Sequence, residues 1–232
     1  MYIDYVGRVK ETGEVFDTTI EEEAKKAGIY DDKHIYEPML VAVGKSWIIE
    51  GVDEALVGRE ENEEFEVEVP PEKGFGLRDP RKIVLYTRRK LMEAGINGTP
   101  LPGSIVTING MPAIVRVASG GRFLLDFNPP LAGKTLIYKI HVRSICKTLH
   151  DKIKAIVKRR SRELANRPEL YKYKKAQQTL EFYLDEKEAT KKENPFIMRG
   201  IVSDIFELIP EVKKIRFITT FTRPVKVSKG EK

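Results

Sequence analysis

The sequence predicts an α+β protein of more than one unit, on three observations. Stretches alternating apolar and polar residues occur near the start and again at residues 131–146, and such alternation sets one face of a strand on a core. Between them lies a run of short strands broken by glycine turns. After residue 148 the apolar spacing lengthens from two to three and four, the helical period. An antiparallel sheet in two parts, interrupted by a compact β-rich insertion and followed by a separate α+β unit, accounts for that order.

The opening MYIDYVGRVKETGEVFDTT alternates, breaks at ETGE and resumes through Val15 and Phe16, which predicts two strands joined by a turn. IEEEAKKAG, residues 20–28, is a short polar helix stopped by Gly28. PMLVAVG reads as a strand, residues 49–57 as a short helix, and EEFEVEVPP as a half-buried strand closed by Pro70 and Pro71. EKGFGLRDP is a loop by its glycine and proline content. SIVTINGMPAIVRVASGGRFLLDF gives three short strands, with Asn109-Gly110 as a hairpin turn. LAGKTLIYKIHVRSIC returns to long alternation, with Leu136, Tyr138, Ile140 and Val142 on one face. Farther on, Ile153, Ile156, Val157 and Leu164 form a partial apolar stripe, and LYKYKKAQQTLEFYLDEKEA carries Leu180, Tyr183 and Leu184 at helical spacing. NPFIMRGIVSDIFELIP is a further helix and KKIRFITTFTRP a strand.

Of the 232 residues, 41% are hydrophobic and 33% charged, enough for sizeable cores. No apolar run reaches the roughly 20 residues that span a bilayer, and the start lacks the layout of a secretory signal, so no membrane partner and a cytoplasmic address are expected. The lone Cys146 excludes an internal disulfide and a multi-cysteine zinc site, and His34, His141 and His150 lack metal-ligand spacing. Charge is uneven. Residues 1–148 hold 20 Lys+Arg against 23 Asp+Glu, whereas residues 149–232 hold 21 against 12. KAIVKRRSREL and YKYKK mix cations with aromatics, which suits contact with RNA or a ribosome. The other reading of this segment is an amphipathic helix pair forming a homodimer or domain interface.

Four segments together, YVGRVKETGEVFDTT, VGKSWIIEGVDEALVG, VEVPPEKGFG and NPPLAGKTLIYKIHV, resemble the FKBP family of peptidyl-prolyl cis/trans isomerases. The insertion makes the chain similar to the SlyD-like branch, with its insert-in-flap chaperone domain, and the basic tail looks like that of long archaeal members. The resemblance covers roughly residues 1–148. It implies a half-barrel antiparallel sheet around a short helix, with an isomerase domain at 1–83 and 128–148, the insert at 84–127 and a C-terminal α+β domain at 149–232. It also implies a shallow apolar pocket for proline lined by Tyr5, Phe16, Asp17, Met39, Ile48, Ile49, Val52, Phe75 and Tyr138, with the Ile49 amide holding a peptide carbonyl and no cofactor required. For Tyr5, Phe16, Val52 and Tyr138 the alternative is ordinary core packing and for Asp17 a turn cap, while Ile48 and Ile49 cannot both face the core of a short helix.

Two departures from the family stand out. Val52 occupies the place of a frequent tryptophan, while Met39 replaces a common phenylalanine and Phe75 a common tyrosine, so a wider, less aromatic pocket is expected. The first strand begins almost at Met1, where family members carry several residues more, which points to a shortened start. For the insertion, the resemblance implies an apolar surface for unfolded polypeptides. Met111, at a hairpin tip, is its best candidate, with Ile108, Ile114, Leu124 and Phe127, then Tyr86, Leu91 and Met92. Most of these must also serve the core of so small a domain.

Overall fold

The computed structural model describes residues 1–186, 190–191 and 194–221, and the chain divides into two compact units, Ile3–Arg143 and Met1–Tyr2 with Ser144–Lys232. The first unit is built on a five-stranded sheet. Strands β1 (Tyr2–Val9) and β2 (Val15–Thr18) form a hairpin, followed by helix α1 (Glu21–Lys26), the two-residue strand β3 (Met39–Leu40), helix α2 (Glu50–Ala55) and strand β4 (Glu64–Val69). PMLVAVG thus yields only two strand residues, because the chain turns into a loop with Gly44 and Ser46 at positive φ.

The middle of the chain folds as a sheet of its own. Strand β5 (Ile83–Thr87), helix α3 (Arg88–Glu93) and strands β6 (Ile105–Ile108), β7 (Met111–Ser119) and β8 (Arg122–Asp126) give the antiparallel order β5-β8-β7-β6. Asn109 and Gly110 both take positive φ, as a two-residue primed turn requires. Leu91, Val106, Ile108, Ala113, Val115, Phe123 and Leu125 form this sheet's core. β5 and α3 add to the three strands read from the sequence. Strand β9 (Leu136–Ser144) then re-enters the first sheet, whose order is β2-β1-β9-β4, with β3 against β1. Leu136, Tyr138, Ile140 and Val142 are buried in alternation, the face the sequence assigns to the core.

The two crossings between these sheets are tied together. The Phe127 amide donates to the Lys82 carbonyl, and the Asn128 side chain accepts from the Asp79 amide and donates to its carbonyl. Asp126, fully buried, accepts from Arg78, from Arg116 on β7 and from Asn128. Burial by itself would raise the Asp126 pKa, but the Asn128 and Arg116 hydrogen bonds and the Arg78 charge outweigh it and hold the carboxyl at about 2.

In the second unit, helix α4 (Leu149–Arg160) opens with a capping box between Thr148 and Asp151, and α5 (Arg162–Ala165) follows. Strands β10 (Tyr171–Lys174) and β11 (Thr179–Leu184) pair antiparallel, helix α6 (Asn194–Leu208) crosses over, and β12 (Lys214–Thr219) pairs parallel with β11. The helix expected over LYKYKKAQQTLEFYLDEKEA is instead a hairpin as far as Leu184, its residues 187–189 lying outside the described residues. Its period is two: Leu180, Phe182 and Leu184 join Tyr171 in the apolar core, Thr179 and Glu181 are buried on the opposite face, and Gln178 turns the chain in the left-handed region. The helix at NPFIMRGIVSDIFELIP forms as the sequence predicts, and the strand expected over KKIRFITTFTRP forms at Lys214–Thr219, with 222–224 outside the described residues. Among the described residues no helix is long and apolar enough to cross a membrane.

Candidate active site

Four aromatic side chains meet on the first sheet. The Tyr5 and Tyr138 ring centroids lie 5.6 Å apart, Phe16 meets Tyr138 edge-on at 5.7 Å, and Phe75 meets Phe16 edge-on at 6.3 Å. Such tilted and edge contacts are the favoured geometry for rings in contact. The cluster grades outward: Tyr5 and Tyr138 are buried, Phe16 is half-buried and Phe75 is exposed at the rim. The Tyr5 hydroxyl donates to Asp17 Oδ2 at 2.6 Å, which orients both groups. Thr18, next in the strand, donates to the Tyr5 carbonyl and fixes β2 against β1.

Gly7 makes this cluster possible, and the sequence reading missed it. It sits on β1 opposite Asp17, where a Cβ would lie 2.7 Å from Phe16 Cζ and 3.2 Å from Tyr138 Cε1. Only a residue without a side chain lets both rings lie against the strand. The signal in the sequence is a glycine inside a strand, which marks close approach by another group.

The remaining expected residues stand around the cluster. Met39 opens β3, which pairs with β1. Ile48 and Ile49 are half-buried in the loop that leads into α2, and the Ile49 amide donates to no group among the described residues. Asp53 holds that loop. Its buried carboxylate accepts the Gly44 amide at 2.9 Å and the Ser46 amide at 3.0 Å. Val52 requires a correction: it is 0% exposed, so it backs the site from within the core and presents no surface to a ligand.

Beside Phe16 and Phe75 lies an open, largely apolar cavity of about 500 Å³, lined further by Val9, Pro129, Pro130 and Leu131 and at its polar side by Thr12, Glu14 and Lys134. NPPLAG thus leads the returning chain to the edge of the aromatic cluster. A smaller cavity of about 160 Å³ shares Phe16 and Asp17 and adds Ile29, Asp31, His34 and Tyr36. Residues 1–143 match the family described as FKBP-type peptidyl-prolyl cis-trans isomerase, and residues 149–222 match the one described as FKBP26_C-terminal. The chain belongs to the FKBP-type peptidyl-prolyl cis-trans isomerases.

Among relatives of this FKBP-type isomerase is the short-type peptidyl-prolyl cis-trans isomerase of Methanocaldococcus jannaschii, 41% identical over 143 residues, which are 62% of this chain and 88% of that protein. The FKBP-type 16 kDa isomerase of Escherichia coli K12 is 31% identical over 114 residues, covering 47% and 74%. The SlyD isomerase of Treponema pallidum is 31% identical over 138 residues, covering 57% and 76%. The chemistry of the FKBP cluster is that of neutral groups. Burial, and then the bond to Asp17, push the Tyr5 phenol far above its ordinary range, and burial does the same to Tyr138. Both rings stay uncharged throughout the physiological range.

The insert residues divide in two. Leu91 and Ile108, at 1% and 2% exposure, belong to the insert's own core and give a client no surface. Tyr86 and Phe127 are half-buried, pack against that core and touch each other at 6.3 Å. Met92 and Met111 are exposed. The sequence reading missed Leu85, Ile105 and Val117, exposed at 55%, 68% and 50%. The register sets Leu85, Leu124 and Val117 side by side across three strands, and Ile105 beside Ile114. The middle of one face of the insert sheet is thus apolar and accessible, bordered by the polar row Thr87, Arg122 and Ser119. Strand parity would have found it, since Val106 and Ile108 point inward and Ile105 cannot follow them.

Proposed function

We propose that the cluster of Tyr5, Phe16, Phe75 and Tyr138 is the surface on which X–Pro bonds of polypeptide substrates rotate. An amide rotates over a barrier of ~18–20 kcal/mol because its resonance must be lost, and free prolyl bonds need ~10–100 s to isomerise. The planar amide is strongly dipolar and the twisted one less so. An apolar wall therefore favours the twisted form relative to water, which is binding of the transition state by desolvation. In this reading Phe16 and Phe75 hold the proline ring, Met39 and Ile48 shape the entrance, and the Ile49 amide receives a substrate carbonyl. Tyr5 and Asp17 orient each other and need transfer no proton.

The observation that supports this most is the graded ring cluster with its uncharged phenols and open rim. The test is a protease-coupled assay on a prolyl tetrapeptide. Phe16→Ala should lose turnover by at least about 100-fold while the chain stays folded, whereas unchanged activity would mark a holdase without catalysis.

In the same proposal the insert, taken as residues 84–127, captures unfolded or nascent segments on the Leu85, Leu124 and Val117 face. An accessible apolar face on so small a sheet is otherwise a liability. Capture on a tethered module raises the local concentration of prolyl bonds at the cluster without any new contact there. The homodimer reading of the C-terminal unit finds support in Phe196 and Phe206, both exposed on α6. Light scattering tests it, a dimer giving twice the mass of the 26.5 kDa chain.

A further inference from the structure

We infer that the face of the C-terminal sheet turned away from its helices is a binding surface for single-stranded RNA, a property independent of the isomerase reading. The register makes the case. One row across β10, β11 and β12 holds Lys172, Glu181 and Arg216, and the next holds Lys174, Thr179 and Lys214. The alternate rows, Tyr171 with Phe182 and Phe217, and Tyr173 with Leu180 and Ile215, point into the core with Ile156, Ile201 and Ile205 of the helices. The turn after β10 and the approach to β12 meet at Gln178, whose carbonyl accepts the Lys213 and Lys214 amides, and this brings Lys175 and Lys213 to the same end.

The face therefore gathers six cations, and its single acid is already engaged. Glu181 is buried and bonded to Lys174 at 2.7 Å, to Arg216 at 3.4 Å and by the Tyr183 hydroxyl at 2.5 Å. Among the described residues no carboxylate lies within 4.0 Å of Lys172, Lys175, Lys213 or Lys214. Six charges with one internal counterion favour a polyanion. Tyr183 decides which kind: an exposed ring, tethered by its hydroxyl to the carboxylate that Lys174 and Arg216 also hold, offers a base a stacking platform that an acidic polypeptide has no use for. The basic and aromatic residues that the sequence assigned to helices lie instead on one sheet.

The test is fluorescence anisotropy of the full chain with a labelled oligouridine over a salt series. Binding should weaken with salt at a log–log slope of about −0.7 per phosphate contacted, hence about −3 for four cations. Lys172→Glu with Lys214→Glu should weaken affinity about tenfold or more and flatten the slope. Lys175→Glu with Lys213→Glu, at the exposed turn, should act alike without touching Glu181. Tyr183→Ala should cost about fivefold or more with the slope unchanged, while Tyr183→Phe, which keeps the ring but not the hydroxyl, should retain affinity. Tetrapeptide turnover should be the same in every variant. Absence of binding at low salt, indifference to both charge pairs, tighter binding of duplex RNA, or stronger competition by polyglutamate would each overturn the proposal, the last in favour of an acidic protein.

Discussion

At the scale of single residues the site depends on what Gly7 lacks. Gly7→Ala must drive the Phe16 ring off the strand, because the new methyl would stand 2.7 Å from its Cζ. The ring is half-buried and has room to swing, so the damage should fall on turnover more than on stability. We predict about a tenfold loss of kcat/KM on a tetrapeptide, with a melting temperature within a few degrees of the parent; an unchanged kcat/KM would show that the Phe16 position is immaterial. Asp53 should behave in the opposite way. Asp53→Ala frees two loop amides and costs about 1–3 kcal/mol of stability, read by chemical denaturation. That Tyr5, Phe16 and Asp17 stand at one place was legible through the family resemblance of the segments around YVGRVK and FDTT, whereas the Tyr5–Asp17 hydrogen bond and the ring contacts of Phe16 came only with the fold. Gly7 and Asp53 were not, since what each does is set by a neighbour distant along the chain or across a loop. Val52 was misjudged because family likeness fixes a position without fixing its depth.

Elements carry the next set of expectations. The apolar face of the insert is set by strand register, so Leu85→Ser with Val117→Ser should leave the insert core of Phe123 and Leu125 intact. Refolding of a protein limited by prolyl isomerisation should then be accelerated about tenfold less, with tetrapeptide turnover unchanged; equal losses on both substrates would refute the division of labour. The junction makes a second case. Asp126 titrates lower in the folded chain, at about 2, than an ordinary aspartate near 3.8. Between these values the unfolded chain binds the extra proton, so the stabilisation is present above about pH 4 and is lost as the pH falls toward 2. Asp126→Asn should flatten the pH dependence of unfolding in that window, and an unaltered profile would show that the carboxylate does not hold the crossing. Alternation gave most strands of the first unit outright. It misled at 171–184, where Leu180, Tyr183 and Leu184 fit spacings of three and four by chance, while the true inward set was Leu180, Phe182 and Leu184.

For the whole molecule, charge and fold divide along the same line. The acidic-leaning first unit holds the aromatic cluster and the insert, and the cationic surplus lies in the second unit with its three-stranded sheet. The order of segments made this division visible in the sequence, but the C-terminal topology was not, because a parallel β11–β12 pair joined through a helix leaves no local signature. The central claim is that an uncharged, apolar surface accelerates prolyl rotation with no proton in flight. It is tested most directly by kcat/KM for a prolyl tetrapeptide across the neutral pH range, in water and in heavy water. Rotation by desolvation alone gives a flat profile and a solvent isotope effect near unity; a bell-shaped profile with a large isotope effect would mean that a proton moves in the rate-limiting step, contrary to the claim.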